Sequence, residues 1–126
     1  MRTRPLTILL LLGLMAAPLV ADARDDAKKQ VQFGIAVAQR GLWREAIYRW
    51  ERAVQIDPKY AEALNDLAIA YEHEGDLEKA RVAYEKALDI EPNNALIKQN
   101  YELFKEINDR TTREDGQDTG EPQDSQ

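Results

Sequence analysis

Apolar and polar residues alternate with a helical period along residues 61–94. Leu64, Leu67 and Tyr71 recur at i, i+3 and i+7, together with Ala68, so they form one stripe along a helix. The pair Gly75-Asp76 then predicts a turn, because glycine accepts the left-handed conformation at a helix end and aspartate can cap the next helix. A second apolar stripe precedes Pro92, which cannot continue a helix; its members are Leu77, Ala80, Tyr84, Ala87 and Leu88. The segment therefore predicts a helical hairpin.

The chain matches itself at an offset of 34 residues. The residues repeated unchanged 34 positions later are Ala27, Ile35, Ala36, Gly41, Ala46, Glu51, Ala53, Ile56 and Pro58. Two further helices are therefore predicted over residues 24–40 and 42–57. A fixed period that contains two helices is typical of a repeat array, in which each hairpin buries one face against its neighbour.

These residues resemble the tetratricopeptide repeat (TPR) family, which alternates large and small residues in a fixed order. The positions matched in class are Leu64, Leu67, Ala68, Tyr71, Ala80, Tyr84, Ala87 and Pro92. The preceding copy supplies Phe33, Gly34, Val37, Ala46, Trp50, Ala53 and Pro58, but it has Gln30 where a large apolar residue is usual. The resemblance implies an all-α fold, a short right-handed superhelix of two helix-turn-helix repeats, 27–60 and 61–94, with a capping helix. It also implies a protein-binding module.

Residues 95–108 predict the capping helix, behind the possible helix cap Asn93-Asn94. Lys98 and Glu102 stand where the repeat has Leu64 and Ala68, so this helix covers the last hairpin with one face and presents the other to water. Residues 109–126 contain no aliphatic or aromatic residue, six acidic side chains and two basic ones. Such a segment cannot bury enough apolar surface to offset the entropy of ordering, so a disordered acidic tail is predicted.

The amino terminus predicts a secretory signal peptide over residues 1–23. Arg2 and Arg4 precede an uncharged run over residues 6–20, and Ala21-Asp22-Ala23 offers a small-x-small cleavage site after Ala23 or Ala21. The mature chain is then expected to be exported, into a bacterial periplasm. The alternative is an uncleaved anchor that tethers the repeats to the inner membrane, although the run is short for a membrane span.

Charge and composition narrow the possible chemistry. The chain has no cysteine and a formal charge of −6; without residues 1–23, 15 basic and 22 acidic residues remain, a charge of −7. This balance argues against nucleic acid, which is bound mainly by neutralising phosphates. Residues 24–58 hold seven basic and five acidic residues and residues 59–92 four and nine. The gradient could orient a charged partner or a second copy, or it could be the solvated surface of the helices.

No catalytic, cofactor or metal site is predicted. The only histidine, His73, lies between Glu72 and Glu74, and three consecutive helical residues point in different directions. The only serine is Ser125, and the glycines do not form a phosphate-binding loop. Trp43 is expected to pack in the core rather than to stack on a ligand, as is the second tryptophan, because the next repeat has Leu and Tyr at these positions. The chain is therefore not expected to be an enzyme.

By resemblance to the family, the first helix of each hairpin lines a concave groove. The predicted partner-binding residues are Val31, Ile35, Gln39, Asn65, Asp66, Ile69, Glu72, His73, Asn100 and Leu103. An apolar strip flanked by amides and carboxylates suits an amphipathic helix or an extended segment of another protein, unless the apolar residues only pack between helices. The family's best-known site grips a terminal carboxylate with lysine, arginine and asparagine residues. Of the corresponding residues here only Asn100 fits, and Asp66 would repel that group.

Three functions remain open on the sequence. The first is an adaptor or assembly factor that binds another protein or peptide segment in its groove. The second is a structural subunit, a homo-oligomer that stacks through the ends of the array. The third is a scaffold tethered to the membrane by the uncleaved signal segment.

Overall fold

The computed structural model describes residues 17–117, which form five helices and no strand. The helices are α1 (Ala17–Ala38), α2 (Trp43–Ile56), α3 (Ala61–His73), α4 (Leu77–Ile90) and α5 (Ala95–Gln117). Helices α1 and α2 pack as one hairpin and α3 and α4 as a second, while α2 contacts α3 and α4 contacts α5. The arrangement is an all-α helical repeat solenoid, which confirms the predicted fold class.

Each hairpin turns at a glycine with a left-handed backbone. Gly41 has φ +77° and Gly75 has φ +79°, a conformation that a residue with a Cβ adopts only with strain. The amide of Leu42 then donates to the carbonyl of Val37 at 3.0 Å, and the second turn closes in the same way. The Asp76 carboxylate accepts from the backbone amide of Lys79 at 3.3 Å, so it caps α4 as predicted.

The core pairs alanines with large rings. Trp50 and Tyr84 are buried at equivalent positions of the two repeats, and the alanines of α2 and α4 around them are fully buried. The Trp50 indole lies directly on Gly34, where an added Cβ would stand 2.8 Å from its Cδ1 atom. The second repeat has Ala68 and Tyr84 at the two equivalent positions. The larger indole ring thus occurs with glycine and the smaller phenol ring with alanine.

Helix α5 closes the array. Its buried residues Ile97 and Phe104 face the second hairpin, and the Phe104 ring lies 5.6 Å from the ring of Tyr84. The exposed face carries Glu102, which forms an ion pair of 2.8 Å with Lys105. A third hairpin would need apolar residues on that face, so the helix ends the repeat pattern.

Helix α5 continues to Gln117, beyond the predicted end at residue 108. Bonds within the helix support the extra turns. The side chains of Asn108 and Thr111 donate to the carbonyls of Phe104 and Ile107 at 2.8 and 3.1 Å, and Arg110 pairs with a glutamate one turn earlier. The remainder of the predicted tail, residues 118–126, lies outside the described part of the chain.

At the other end, α1 begins at Ala17, within the predicted signal peptide, and residues 1–16 also lie outside the described part. Arg24 fastens α1 to the loop between α2 and α3. Its Nε atom donates to Asp57, and its guanidinium lies over the Tyr60 ring, 4.6 Å from the centroid. None of the helices in residues 17–117 combines the length and apolar character that a membrane crossing requires.

Candidate functional site: a groove across α1, α3 and α5

A row of exposed apolar side chains crosses the first helices of the array. Ile35 on α1, Ile69 on α3 and Leu103 on α5 lie 34 residues apart, so they occupy the same place on every second helix. Their exposed fractions are 38%, 38% and 54%. Because the fold leaves these three side chains exposed to solvent, they form an apolar row that the side chains of a bound partner can cover.

A polar row runs beside the apolar one, one helical turn earlier. It consists of Gln32 on α1, Asp66 on α3 and Asn100 on α5, again 34 residues apart. The Asn100 amide donates to the Asn65 side chain at 3.0 Å, which ties α5 to α3 across this row. Apolar contact and hydrogen bonding are thus offered side by side, as a groove for a peptide requires.

A cleft of about 320 Å³ lies between α1 and α3. Its lining residues are Ile35, Ala38, Gln39, Trp43, Trp50, Asp66 and Ile69. The Trp43 ring stacks on His73, with 4.0 Å between the ring centroids and 22° between the planes. The Trp43 ring, which lines the cleft, is thus packed against the His73 ring of α3.

A second cleft, of about 390 Å³, is more polar. It is lined by Arg24, Lys28, Tyr60, Glu62, Asn65, Asp66, Glu91, Asn94, Leu96 and Ile97. Asp66 lines both clefts and therefore stands where they meet. A peptide lying across α1, α3 and α5 would therefore run beside this carboxyl group, whichever of the two clefts it occupies.

The Asp66 carboxyl group has an unusual environment. Its pKa is raised from the ordinary value of 3.8 to about 7, mainly by burial and also by the charge of Glu62, while a hydrogen bond with Asn65 opposes the rise. The Oδ2 atom is shielded from solvent and has no hydrogen-bond partner. Within residues 17–117, no lysine or arginine forms an ion pair with this group.

The structure divides the ten predicted groove residues by depth. Val31 and Asn65 are 2% and 4% exposed, so they lie beneath the groove rather than on its surface. The Val31 carbonyl accepts a hydrogen bond from the Trp50 indole at 3.1 Å, and packing is its observed role. Glu72 accepts a hydrogen bond from the Tyr84 hydroxyl group, which occupies it inside the repeat. The other predicted residues reach the groove or its edge.

Sequence reasoning missed two contributions to the clefts. Trp50 was assigned to the core and is buried there, yet its ring also lines the first cleft, as does the half-buried Trp43. Arg24 and Tyr60 come together at the second cleft from α1 and from the loop before α3. No spacing in the sequence indicated this contact, because the two residues are not at equivalent repeat positions.

A larger cleft, about 540 Å³, lies between α2 and α4. Val82 on its wall is 37% exposed, almost the same as Ile35 and Ile69. It therefore offers a matched control position away from the groove.

In the described part of the chain, no three histidine or carboxylate side chains are close enough together to hold a metal ion.

Two sequence profiles of one family match the chain. The profile described as Tetratricopeptide repeat matches residues 61–94, and the profile described as TPR repeat matches residues 34–75. The chain thus carries tetratricopeptide repeats at two tandem positions, as the 34-residue period predicted.

Three similar proteins place these repeats among larger relatives. Type IV pilus assembly protein PilF of Pseudomonas aeruginosa is 35% identical over 89 residues, which cover 69% of this chain and 35% of PilF. Photosystem I assembly protein Ycf3 of a Synechococcus strain is 29% identical over 102 residues, or 79% of this chain and 58% of Ycf3. The crystal structure of MamA protein matches with a TM-score of 0.60 and 30% identity, over 70% of this chain and 48% of MamA. The chain therefore spans between a third and three fifths of these relatives.

Proposed function

We propose that this protein is an adaptor or assembly factor that binds a segment of another protein across α1, α3 and α5. The observation that carries the proposal is the apolar row of Ile35, Ile69 and Leu103, which the fold exposes on α1, α3 and α5. Two of the similar proteins, PilF and Ycf3, are described as assembly proteins, which supports a role in bringing proteins together.

Burial of the apolar row would supply much of the binding free energy. Covering an isoleucine side chain completely is worth roughly 1.5–3 kcal/mol, and these side chains are already more than half covered. About 1 kcal/mol for each is therefore a reasonable contribution. Replacing Ile35 and Ile69 by aspartate removes both contributions and adds the cost of desolvating two charges, so affinity should fall at least tenfold, or about 1.4 kcal/mol.

The test uses peptides selected from a random displayed library against the purified protein, with affinities measured by fluorescence anisotropy. The double variant Ile35→Asp/Ile69→Asp should bind the selected peptides at least about tenfold more weakly. Val82→Asp, at equal exposure outside the groove, should bind them as the wild type does. Helical content is checked by circular dichroism for each variant. Unchanged affinity of the double variant would rule out the groove as the binding site.

Self-association by stacking of repeat ends is less well supported. On α5 the positions equivalent to Leu64, Ala68 and Tyr71 hold Lys98, Glu102 and Lys105, so the face that would pack against a further repeat is charged. Light scattering on the purified protein tests this alternative, because stacked ends would give a mass that grows with concentration.

We further propose that the chain is exported after removal of a signal peptide, on the basis of the charged, apolar and small-residue pattern in residues 1–23. Sequencing the amino terminus of the protein recovered from the periplasm tests this proposal. A mature chain that begins at Asp22 or Arg24 supports cleavage. An intact amino terminus in the membrane fraction supports the tethered alternative.

A further inference from the structure

Asp66 is the one carboxylate in the polar row of the groove. The equivalent positions on α1 and α5 hold amides, Gln32 and Asn100, and the Asn100 amide is already bonded to α3. The Oδ2 atom of Asp66 is buried without a partner. A buried acceptor left unpaired is unfavourable, and a carboxylate more so than a neutral group. The groove therefore contains an acceptor whose hydrogen bonding the fold does not complete.

The chain does not supply a cation for this carboxylate. Arg24 lines the second cleft, but its guanidinium is held by Asp57. Lys28 lines the same cleft, is exposed, and forms no ion pair within the described residues. The nearby Glu62 adds negative charge instead. Among residues 17–117 Asp66 therefore has no cationic partner, and a bound molecule can supply one.

A donor can reach Asp66 from the groove. The side chain lines both clefts, so its carboxyl group can accept a hydrogen bond from a donor that lies in either one. The apolar row lies one helical turn away, so a segment that covers Ile35 and Ile69 passes directly beside the carboxyl group. Residues 59–92 contain four basic and nine acidic residues, and this negative balance also favours a positively charged partner over a negatively charged one.

We propose that the segment bound in this groove carries a lysine or arginine side chain that pairs with Asp66, flanked by apolar side chains that cover Ile35, Ile69 and Leu103. This inference rests on the proposed function and adds the chemistry of the partner. The ligand charge that this groove would select is positive, whereas the terminal carboxylate bound by the family's best-known site is negative. A cation in the groove would complete the hydrogen bonding of Asp66, and the apolar neighbours would exclude water from the pair.

The test begins with the peptides selected above, whose sequences are compared with the unselected library. Lysine or arginine beside apolar residues should be enriched. One enriched peptide is then made in two forms, one with its cation and one with norleucine at that position. Binding of both forms is measured to the wild type, to Asp66→Asn and to Glu62→Gln, the last as a control that removes a neighbouring exposed charge.

The expected result is a coupling between the peptide cation and Asp66. Asp66→Asn should weaken the cationic peptide at least about tenfold and leave the norleucine form nearly unchanged, because close charge pairs at interfaces couple strongly. Glu62→Gln should weaken the cationic peptide by less than about threefold, as expected for an exposed charge. Equal loss of both peptide forms would show a change in structure rather than a lost pair, and would overturn the inference.

Other outcomes separate this inference from the proposed function. If the selected peptides lack cations, or bind Asp66→Asn as tightly as the wild type, the inference fails while the groove stands. If Ile35→Asp/Ile69→Asp leaves binding unchanged, or no peptide is selected, the proposed function fails and the inference fails with it. If light scattering shows a dimer that the same double variant dissociates, the occupant is a second copy, and the inference is overturned.

Discussion

Replacing Asp66 by asparagine should stabilise the fold at neutral and higher pH. The substitution keeps the shape of the side chain and one oxygen acceptor but removes the charge that burial disfavours. The pKa of Asp66 in the folded protein is about 7, above the ordinary value of 3.8, so the folded state holds the proton more tightly than the unfolded chain does. This group therefore contributes most to stability below its ordinary pKa, and that contribution is lost as the pH rises through 7.

The size of the effect follows from the two pKa values. A separation of about three pKa units at about 1.4 kcal/mol each sets an upper limit of about 4 kcal/mol. Because part of the side chain reaches solvent in the clefts, we expect about 2 kcal/mol. In a domain of this size, 1 kcal/mol corresponds to roughly 4–8 °C in Tm, so the variant should melt about 8–16 °C above the wild type near pH 8. Near pH 4 the two proteins should melt close together.

The assay is thermal unfolding followed by circular dichroism at 222 nm for both proteins at about pH 4, 6 and 8, with urea titrations at the same values. Asp89→Asn, on the exposed surface of α4, serves as the control and should change stability by no more than about 0.5 kcal/mol. A difference between wild type and Asp66→Asn that does not grow with pH would refute the reasoning. So would a variant that is less stable than the wild type near pH 8.

Three further substitutions test the packing and the turns. Gly34→Ala should destabilise the protein by about 1–3 kcal/mol in urea titrations, because its methyl group meets the Trp50 indole, and adding Trp50→Tyr should restore part of the loss; additive losses would contradict a matched pair. Gly75→Ala should cost about 1 kcal/mol although no atom obstructs its methyl group, since only the left-handed backbone is strained; an unchanged Tm would disagree. Arg24→Met should lower stability by at most about 1 kcal/mol at neutral pH, because its ion pair with Asp57 is partly exposed; a larger loss would mean that this contact anchors α1.

The stability of Asp66→Asn also bears on the groove. If the variant is more stable than the wild type and still loses the cationic peptide, unfolding cannot explain the lost binding. The carboxylate would then be a group that weakens the free protein and strengthens the complex. Such a trade between stability and binding is common at functional positions.

The sequence alone was enough to predict five helices, the two repeats and their turns, but not that α1 begins at Ala17 or that α5 continues to Gln117. Each of these depends on local chemistry and on a period: the apolar stripes, Gly41 and Gly75 with their left-handed backbone, and the capping aspartate before α4. The 34-residue spacing also predicted that Ile35, Ile69 and Leu103 share one face, because residues one repeat apart take the same place on α1, α3 and α5. These predictions did not depend on knowing which side chains of that face are buried and which are exposed.

Tertiary packing decided how deep each groove residue lies. Val31 and Ile35 are one helical turn apart and look alike in sequence, yet the fold buries the first and leaves the second exposed. The same packing shields one oxygen atom of Asp66, and this burial is the main reason why the pKa of its carboxyl group rises to about 7; Glu62, one helical turn earlier on α3, adds to the rise. Burial is set by atoms from distant parts of the chain, and a periodic pattern does not specify their distances.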